Sequence, residues 1–311
     1  MTRSPASMKE YKKFLINFTI HDMMFAISYG FLFGPQSIFP VSGAAVSGVF
    51  RFFGDTGARL SFAVVIVTGS NMMLAQCFCL AYRMSVMLDN KCFNRFLLSI
   101  FCWCLFYGVK VPINLFVGYL FTLLAVPQAK IWEKVEYYNQ TFPESPYPIL
   151  YVDPFEMFTI LLFGFVVLAL AGMELFQIAF VFFILRALES KKAALTEKSY
   201  RLQKQLTFAL AAQLVVPIVL IFFPVSYGVI CRYVGSDPSK MAGDIGFFLF
   251  ATYGACNALL TIFFVKPYYD FTLRKLQRIF WCFKFEPPKK HSIVVLHSIN
   301  SYASNVTANN Y

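Results

Sequence analysis

The chain has 311 residues, of which 58% are hydrophobic and only 14% are charged, and its formal net charge is +11. Soluble domains carry about 25% charged residues, so this chain could not cover a soluble surface with polar groups. The mean hydropathy of +0.61 and the long apolar runs also exclude a nucleic-acid-binding domain, a disulfide scaffold and a disordered chain. The composition predicts an integral membrane protein.

Six apolar stretches are each long enough to cross a bilayer, for which a helix needs about 20 residues. The chain lacks the short alternating pattern of membrane β-strands, so helices must satisfy the backbone hydrogen bonds inside the bilayer. We therefore predict an all-α fold, a polytopic transmembrane helix bundle with six spans. The predicted spans cover residues 14–39, 60–82, 96–120, 157–185, 208–231 and 245–265.

The distribution of positive charge predicts how these spans are oriented, because Lys and Arg concentrate on cytosolic loops. Of the 27 Lys and Arg residues, 20 lie before the first span, after the second, fourth and sixth spans, and only six lie in the alternate loops. We therefore expect both termini in the cytosol. The acidic loop 121–156 would then lie outside, where an Asn-Gln-Thr sequon makes Asn139 a candidate for N-glycosylation.

The segment after the last span combines apolar and basic residues at helical spacing. Residues 269–285 predict an amphipathic helix that lies on the cytosolic headgroups and contacts membrane lipids. Cys282 is a candidate for palmitoylation there, although an unmodified buried cysteine is the simpler interpretation. We expect residues 1–285 to form a single transmembrane domain and the polar residues 286–311 to form a disordered cytosolic tail.

Three ionisable residues interrupt the predicted spans: Asp22, Lys110 and Glu174. A charge at the bilayer centre costs about 3 kcal/mol on insertion scales unless it is paired or hydrated, so such residues are functional candidates. Lys110 and Glu174 lie near the middle of consecutive spans. A mutual ion pair is one hypothesis for them, and an internal water pocket is the other. Asp22 lies closer to the cytosolic end, where we expect it to form hydrogen bonds within the bundle.

The sequence contains no pattern typical of a catalytic or metal site. Its eight cysteines and three histidines are too scattered to supply metal ligands, and it lacks the motifs of phosphate-binding loops, zinc proteases and serine hydrolases. We therefore expect no enzyme activity, no metal, no cofactor and no nucleic-acid partner. None of the cysteines lies in a predicted outer loop, so the sequence offers no disulfide to stabilise that side.

Several short segments, taken together, resemble one receptor family. The matching segments are Ser4-Pro5 with the basic helix entry that follows, Tyr82-Arg83 at the end of the second span, the basic loop with Leu202-Gln203-Lys204-Gln205 that runs into a helix with Pro217 and Pro224, and Lys266-Pro267-Tyr268 after the last span. This combination resembles the nematode serpentine chemoreceptors of the Str superfamily, most closely class H. The resemblance covers nearly the whole chain.

The resemblance implies a rhodopsin-like serpentine receptor that couples a small, apolar, odorant-like ligand outside to a heterotrimeric G protein inside. Such a receptor is a multi-pass protein of the plasma membrane, including that of sensory cilia. Proline removes a helix hydrogen bond, so Pro217 and Pro224 are candidate bending points of a switch helix, and a static bend is the alternative. The candidate G-protein-facing residues are Tyr82, Arg83, Lys204, Pro267 and Tyr268, although positive charge is expected on any cytosolic loop.

The sequence departs from the family at its start. Residues 4–15 resemble the family's first cytosolic loop, so we expect the first of the family's seven helices and its outer N-terminus to be missing, which accounts for six spans. A non-signalling remnant of a receptor gene is therefore one alternative. A six-span transporter, such as a mitochondrial solute carrier, is another, but the three repeats with a Pro-x-Asp/Glu-x-x-Lys/Arg signature that such carriers share are missing.

Overall fold

The structure, a computed structural model, describes residues 10–38, 43–88, 90–137, 145–193, 196–234, 240–264 and 266–281. Contacts divide the chain into two units, Met1–Val265 and Lys266–Tyr311. The helices of the first unit are α1 Tyr11–Ile27, α2 Gly54–Met87, α3 Lys91–Leu98, α4 Ile100–Leu124, α5 Gln128–Tyr137, α6 Met157–Ser190, α7 Glu197–Pro217, α8 Phe223–Val234 and α9 Lys240–Phe264.

Local chemistry determines where several of these helices begin and how they are extended. Asn90, Ser99 and Thr196 each accept a hydrogen bond from a backbone N–H in the first turn of α3, α4 and α7, respectively, which satisfies groups that have no partner inside the helix. One π-helical turn, Ser28–Phe33, extends α1, and another, Ile218–Phe222, joins α7 to α8. A 3-10 turn, Val49–Phe53, precedes α2.

Six helical segments within the described ranges are long and apolar enough to cross a membrane, which confirms the predicted helix bundle and its six spans. Many of their exposed side chains are large and apolar. Ile100 and Leu168, for example, are 81% and 73% exposed. Such a surface suits lipid tails, which are as apolar as leucine. The segments are Tyr11–Phe33, Val49–Met87, Ile100–Leu124, Met157–Ser190, Ser199–Gly228 and Met241–Leu260.

The first span ends earlier than the sequence predicts. The prediction continued the helix to residue 39, whereas the helix ends at Phe33 and residues 35–37 form a strand. Gly34 adopts a left-handed conformation with φ of 54°, which terminates the helix, and Pro35 cannot continue it. The run of apolar residues continues through this turn, so hydropathy alone could not locate the end of the helix.

Three short strands form an antiparallel sheet at one end of the bundle, which we call the sheet end. β1 Pro35–Ser37 pairs with β2 Gly43–Val46, and β2 pairs with β3 Ile149–Tyr151. Because these strands adjoin α1, α2 and α6 in the chain, the sheet ties together the ends of three spans. Lys134 on α5 also reaches this region, where its Nζ lies 2.7 Å from Oδ2 of the buried Asp153.

The central helix of the first unit is α2, which packs against α1, α4 and α6, while α9 packs against α1 and α7. The approach of α1 to α9 depends on a glycine. A Cβ atom built on Gly254 would lie only 2.8 Å from the Cβ atom of Ala26. Small residues of this kind allow two membrane helices to approach closely.

The second unit contributes one described helix, α10 Lys266–Trp281, which begins three residues before the predicted amphipathic helix. Within it, Arg274 Nε donates a hydrogen bond to the carbonyl oxygen of Asp270 at 3.0 Å. Cys282 and the predicted tail lie outside the described residues.

Candidate functional site

Arg83, near the end of α2 that is remote from the sheet, is buried although its side chain is permanently charged. Its Nη2 lies 2.8 Å from Gln203 Oε1, 3.3 Å from the Gln203 carbonyl oxygen and 3.5 Å from Thr207 Oγ1. Gln203 and Thr207 are four residues apart on α7, so they share one face of that helix. We call this part of the bundle the arginine end.

Aromatic rings complete the arginine end. The Arg83 guanidinium lies over the Tyr11 ring, 5.1 Å from its centroid, in a cation–π contact. Tyr82 is also buried, and its ring stacks on that of Phe14 at 4.4 Å. Arg83 therefore joins α1, α2 and α7. Of the sequence-predicted G-protein-facing residues, Tyr82 and Arg83 point into the bundle in this conformation.

A layer of buried polar side chains crosses the middle of the bundle. Tyr253 Oη donates to Met72 Sδ at 3.0 Å, and Asn257 Nδ2 donates to Tyr253 Oη at 3.3 Å. The Asp22 carboxylate lies within hydrogen-bonding reach of Tyr253 and Asn257. These four side chains connect α1, α2 and α9. The structure thus places Asp22 among hydrogen-bonding partners inside the bundle.

The same layer continues onto α6 through Glu174 and Gln177. Both residues are buried and lie on the side of α6 that faces Cys77 of α2. Neither carboxylate oxygen of Glu174 has a hydrogen-bond partner among the described residues. An ionised carboxylate without a partner is costly in a bilayer, so ionisation of Glu174 would destabilise this packing.

Lys110 does not form the ion pair with Glu174 that the sequence suggested. Its Nζ instead lies 3.2 Å from His21 Nε2 on α1 and 5.0 Å from the centroid of the Tyr107 ring. Lys110 faces α1, whereas Glu174 faces α2 and α9. The sequence indicates how deep each charge lies, but the side of the helix from which it projects depends on how the helices pack.

Rows of rings connect the sheet end with the polar layer. The Tyr29 ring in the π-helical turn stacks on Phe250 of α9 at 4.3 Å, and Tyr29 Oη donates to the Phe247 carbonyl oxygen at 3.4 Å. Phe250 contacts Phe25 at 5.7 Å, and Phe25 contacts Tyr253 at 5.7 Å. Since Tyr253 belongs to the polar layer, the rings form an unbroken series of contacts between the two regions. We call this series the aromatic chain.

The two predicted switch prolines flank a π-helical turn. Pro217 is the last residue of α7, the turn covers residues 218–222, and Pro224 follows at the start of α8. Leu220 and Ile221 of this turn pack against the same core cluster as Phe247 and Phe250. A π-helical turn inside a helix commonly marks a functional site, and proline removes a hydrogen bond there, so the helix is weakened beside the core cluster to which the aromatic chain belongs.

A cavity of about 510 Å³ lies at the sheet end, above the start of the aromatic chain. Its lining comes from the π-helical turn after α1, from β1, from Ser47 after β2 and from α9, and it combines aromatic and polar side chains. A volume of this size is typical of a site for a small organic molecule. The lining residues are Tyr29, Gly30, Gly34, Pro35, Gln36, Ser37, Ser47, Asp244, Phe247, Phe248 and Ala251.

Comparison with known proteins assigns the chain to a family. The model of the family described as "Serpentine type 7TM GPCR chemoreceptor Srh" matches residues 1–278. The chain belongs to the Srh chemoreceptors. This assignment confirms the resemblance drawn from the sequence, and with the six apolar helices it makes the chain a multi-pass membrane protein. Neither a curated protein nor a solved structure matches it.

Other predicted site residues of this Srh receptor are dispersed. Lys204 is exposed on α7, with its Nζ 5.9 Å from the ring centroids of Tyr200 and Phe208. Pro267 and Tyr268 belong to α10 in the second unit. Asn139 lies outside the described residues, so its glycosylation stays a prediction. No group of three His, Cys, Asp or Glu residues that could hold a metal ion occurs within the described ranges.

Sequence reasoning missed several residues of the candidate site. Tyr29 and Phe250 belong to a chain in which 19% of residues are aromatic, so composition could not distinguish them. Gln203 and Thr207 carry a weak signal, because four-residue spacing of polar side chains at the entry to a span marks one polar face. Nothing in the sequence indicated that this face would meet Arg83.

Proposed function

We propose that this Srh receptor binds a small, mainly apolar ligand in the cavity at the sheet end and activates a heterotrimeric G protein through the arginine end. The aromatic chain carries the proposal, because it supplies continuous packing from Tyr29 in the cavity lining to the polar layer. Activation requires two packings of the bundle, and the ligand must bind one of them better than the other.

The arginine end supports a closed resting arrangement. Arg83 holds α7 against α2 through a charged donor and neutral acceptors, and such hydrogen bonds contribute about 1.5–3 kcal/mol each. A cleft for the G protein would open if α7 moved away and Arg83 lost Gln203 and Thr207. Arg83, Tyr82 and the exposed Lys204 would then be available to the partner.

The π-helical turn at residues 218–222 supports a route by which the ligand moves α7. A ligand that presses on Tyr29 or Phe247 would displace the core cluster against which Leu220 and Ile221 also pack. Because Pro217 weakens the helix at this point, the displacement can be taken up as a change in bend rather than as a clash. The weakly satisfied polar layer, with its unpartnered Glu174, lowers the cost of leaving the resting packing.

The proposed orientation rests on charge. Lys and Arg are concentrated on the loops at the arginine end and in the two terminal segments. We therefore place the arginine end and both termini in the cytosol and the sheet end outside the cell, in the plasma membrane and that of sensory cilia. The proposal includes no catalytic activity and no cofactor.

Nucleotide exchange tests the proposal. The full chain in lipid nanodiscs is mixed with heterotrimeric G proteins of each Gα class, and GDP release is compared with that caused by empty nanodiscs. We expect one class to respond, and more strongly when Gln203→Leu loosens the arginine end. If neither the natural chain nor this variant increases GDP release from any Gα class, the proposal is overturned and a non-signalling remnant of a receptor gene is favoured.

A further inference from the structure

The cavity at the sheet end contains a feature that an apolar ligand would not use. Asp244 on α9 is the one charged residue in its described lining, beside the rings of Tyr29, Phe247 and Phe248. Within the described part of the chain Asp244 forms no ion pair and no side-chain hydrogen bond. Asp244 is exposed, so its carboxylate is accessible from the open side of the cavity, and a negative charge among aromatic lining residues favours a cation over an anion.

From this arrangement we propose that the ligand of this receptor is a small organic amine, protonated at neutral pH, on an apolar aliphatic or aromatic skeleton. The inference rests on the proposed function, since it names the ligand class for the same cavity. The ammonium group would pair with the Asp244 carboxylate in a charge-assisted hydrogen bond. The aromatic rings would hold the skeleton and attract the cation through their faces.

The neutral groups of the lining suit this ligand. Ser47 Oγ donates its proton to the Gly34 carbonyl oxygen at 2.6 Å, so only its lone pairs remain for a ligand. An ammonium group has three donors and no acceptor, so it could also donate to the Ser47 hydroxyl oxygen, whereas the Asp244 carboxylate would repel a carboxylate or a phosphate. A charge at the start of α9 with no binding role is the competing explanation for Asp244.

Gly30 offers a position at which a larger side chain could fill the cavity. It belongs to the lining, and a Cβ atom built on it meets no atom within 4 Å. Gly30→Phe would therefore add a ring to the lining at a position where its Cβ atom has room. Glu156, an exposed acidic residue at the start of α6 near the same end, supplies the matched control for loss of one negative charge.

The test measures binding without a G protein. The full chain in nanodiscs is titrated by calorimetry with phenethylamine, benzylamine and hexylamine and with the alcohol of each skeleton. We expect at least one amine to bind on the order of tenfold more tightly than its alcohol, as one charge-assisted hydrogen bond implies. Asp244→Asn should remove this preference, Gly30→Phe should abolish binding of both compounds, and Glu156→Gln should change neither.

Equal binding of amines and alcohols, no binding of any amine, or a preference that survives Asp244→Asn would overturn the inference. The unfolding midpoint of each variant without ligand identifies a loss that comes from misfolding. Because the readout is binding, failure here leaves the nucleotide-exchange result untouched. A receptor that prefers amines but never promotes exchange would instead overturn the proposed function alone.

Discussion

Arg83 and Gln203 are 120 positions apart in the chain, yet Arg83 Nη2 lies 2.8 Å from Gln203 Oε1. The contact joins the ends of α2 and α7 and buries a charge that a bilayer protein would otherwise keep at the surface. A buried charge held by neutral acceptors is stable only while those acceptors stay in place. Mutation of these acceptors should therefore make it easier for α7 to separate from α2.

Gln203→Leu should raise basal G-protein activation. The change removes the side-chain acceptor at 2.8 Å but leaves the backbone acceptor and Thr207. Loss of a hydrogen bond to a charged group costs about 1.5–3 kcal/mol, so the open population should increase on the order of tenfold. Ligand-free GDP release in nanodiscs measures the effect.

Glu197→Gln on the same helix is the control for this prediction. Glu197 faces Arg201 at 3.7 Å, but both side chains are more than three-quarters exposed, and such pairs contribute little. Basal release should therefore stay at the natural rate. If Gln203→Leu gives no more ligand-free GDP release than Glu197→Gln, Arg83 does not hold the bundle closed.

Pro217→Ala should stabilise the receptor and impair its activation. Alanine restores the backbone donor that proline lacks, and proline costs about 3 kcal/mol relative to alanine in a helix interior. We expect a higher unfolding midpoint and a ligand-stimulated exchange rate reduced about tenfold, because the helix bends less easily. Pro112→Ala in α4, also inside a helix, should stabilise without this loss of signalling. If Pro217→Ala keeps the full ligand-stimulated exchange rate, Pro217 only fixes a static bend and does not act as a switch.

Phe250→Leu should separate binding from signalling. The ring lies 4.3 Å from Tyr29 and 5.7 Å from Phe25, and it is not part of the cavity lining. Aromatic pairs contribute about 0.5–1.5 kcal/mol beyond burial, so loss of two should weaken coupling about tenfold or more while ligand affinity changes little. Exchange and calorimetry on one preparation measure both. Phe182→Leu, at an exposed ring of α6, should change neither, and equal behaviour of the two variants would contradict the aromatic chain.

Gly254→Ala should destabilise the bundle by about 1–3 kcal/mol, since the new methyl group would lie 2.8 Å from Ala26 Cβ. Ala26→Gly in the same chain should restore stability, because it removes the opposing methyl group. Gly164→Ala on α6 is the control, as its Cβ would meet nothing within 4 Å. Unfolding midpoints in detergent compare the four proteins. A double variant no more stable than Gly254→Ala would show that the helices do not meet at this pair.

The sequence predicted the spans well because each depends on local composition. About 20 apolar residues form a helix in lipid wherever the neighbours lie. The turn at Gly34 was missed because a left-handed residue leaves no trace in hydropathy. The sequence did not predict the contact between Lys110 and His21 for a different reason. This contact depends on the rotation of α4 relative to α1, and the sequence of one helix does not specify that rotation.

The sequence likewise predicted some residues of the candidate site and missed others. Pro217 and Pro224 could be selected because proline has a fixed effect on a helix. Arg83 was selected from a resemblance, but its burial against Gln203 depends on two segments that meet only in the folded bundle. The cavity residues, Tyr29 and Asp244 among them, come from α1 and α9 and carried no common sequence signal.

The sheet has a consequence for how new ligand specificities could arise. Its strands are held by backbone hydrogen bonds, so most side chains on them are not needed for pairing. Gln36 and Ser37 sit on β1 and line the cavity, and either could be exchanged while the strands stay in register. Gly43 of β2 could not be replaced in this way, because a Cβ atom there would lie 2.3 Å from the Leu150 carbonyl oxygen. The backbone frame of the sheet and the side chains that line the proposed ligand site could thus change separately, which would let one scaffold bind different ligands.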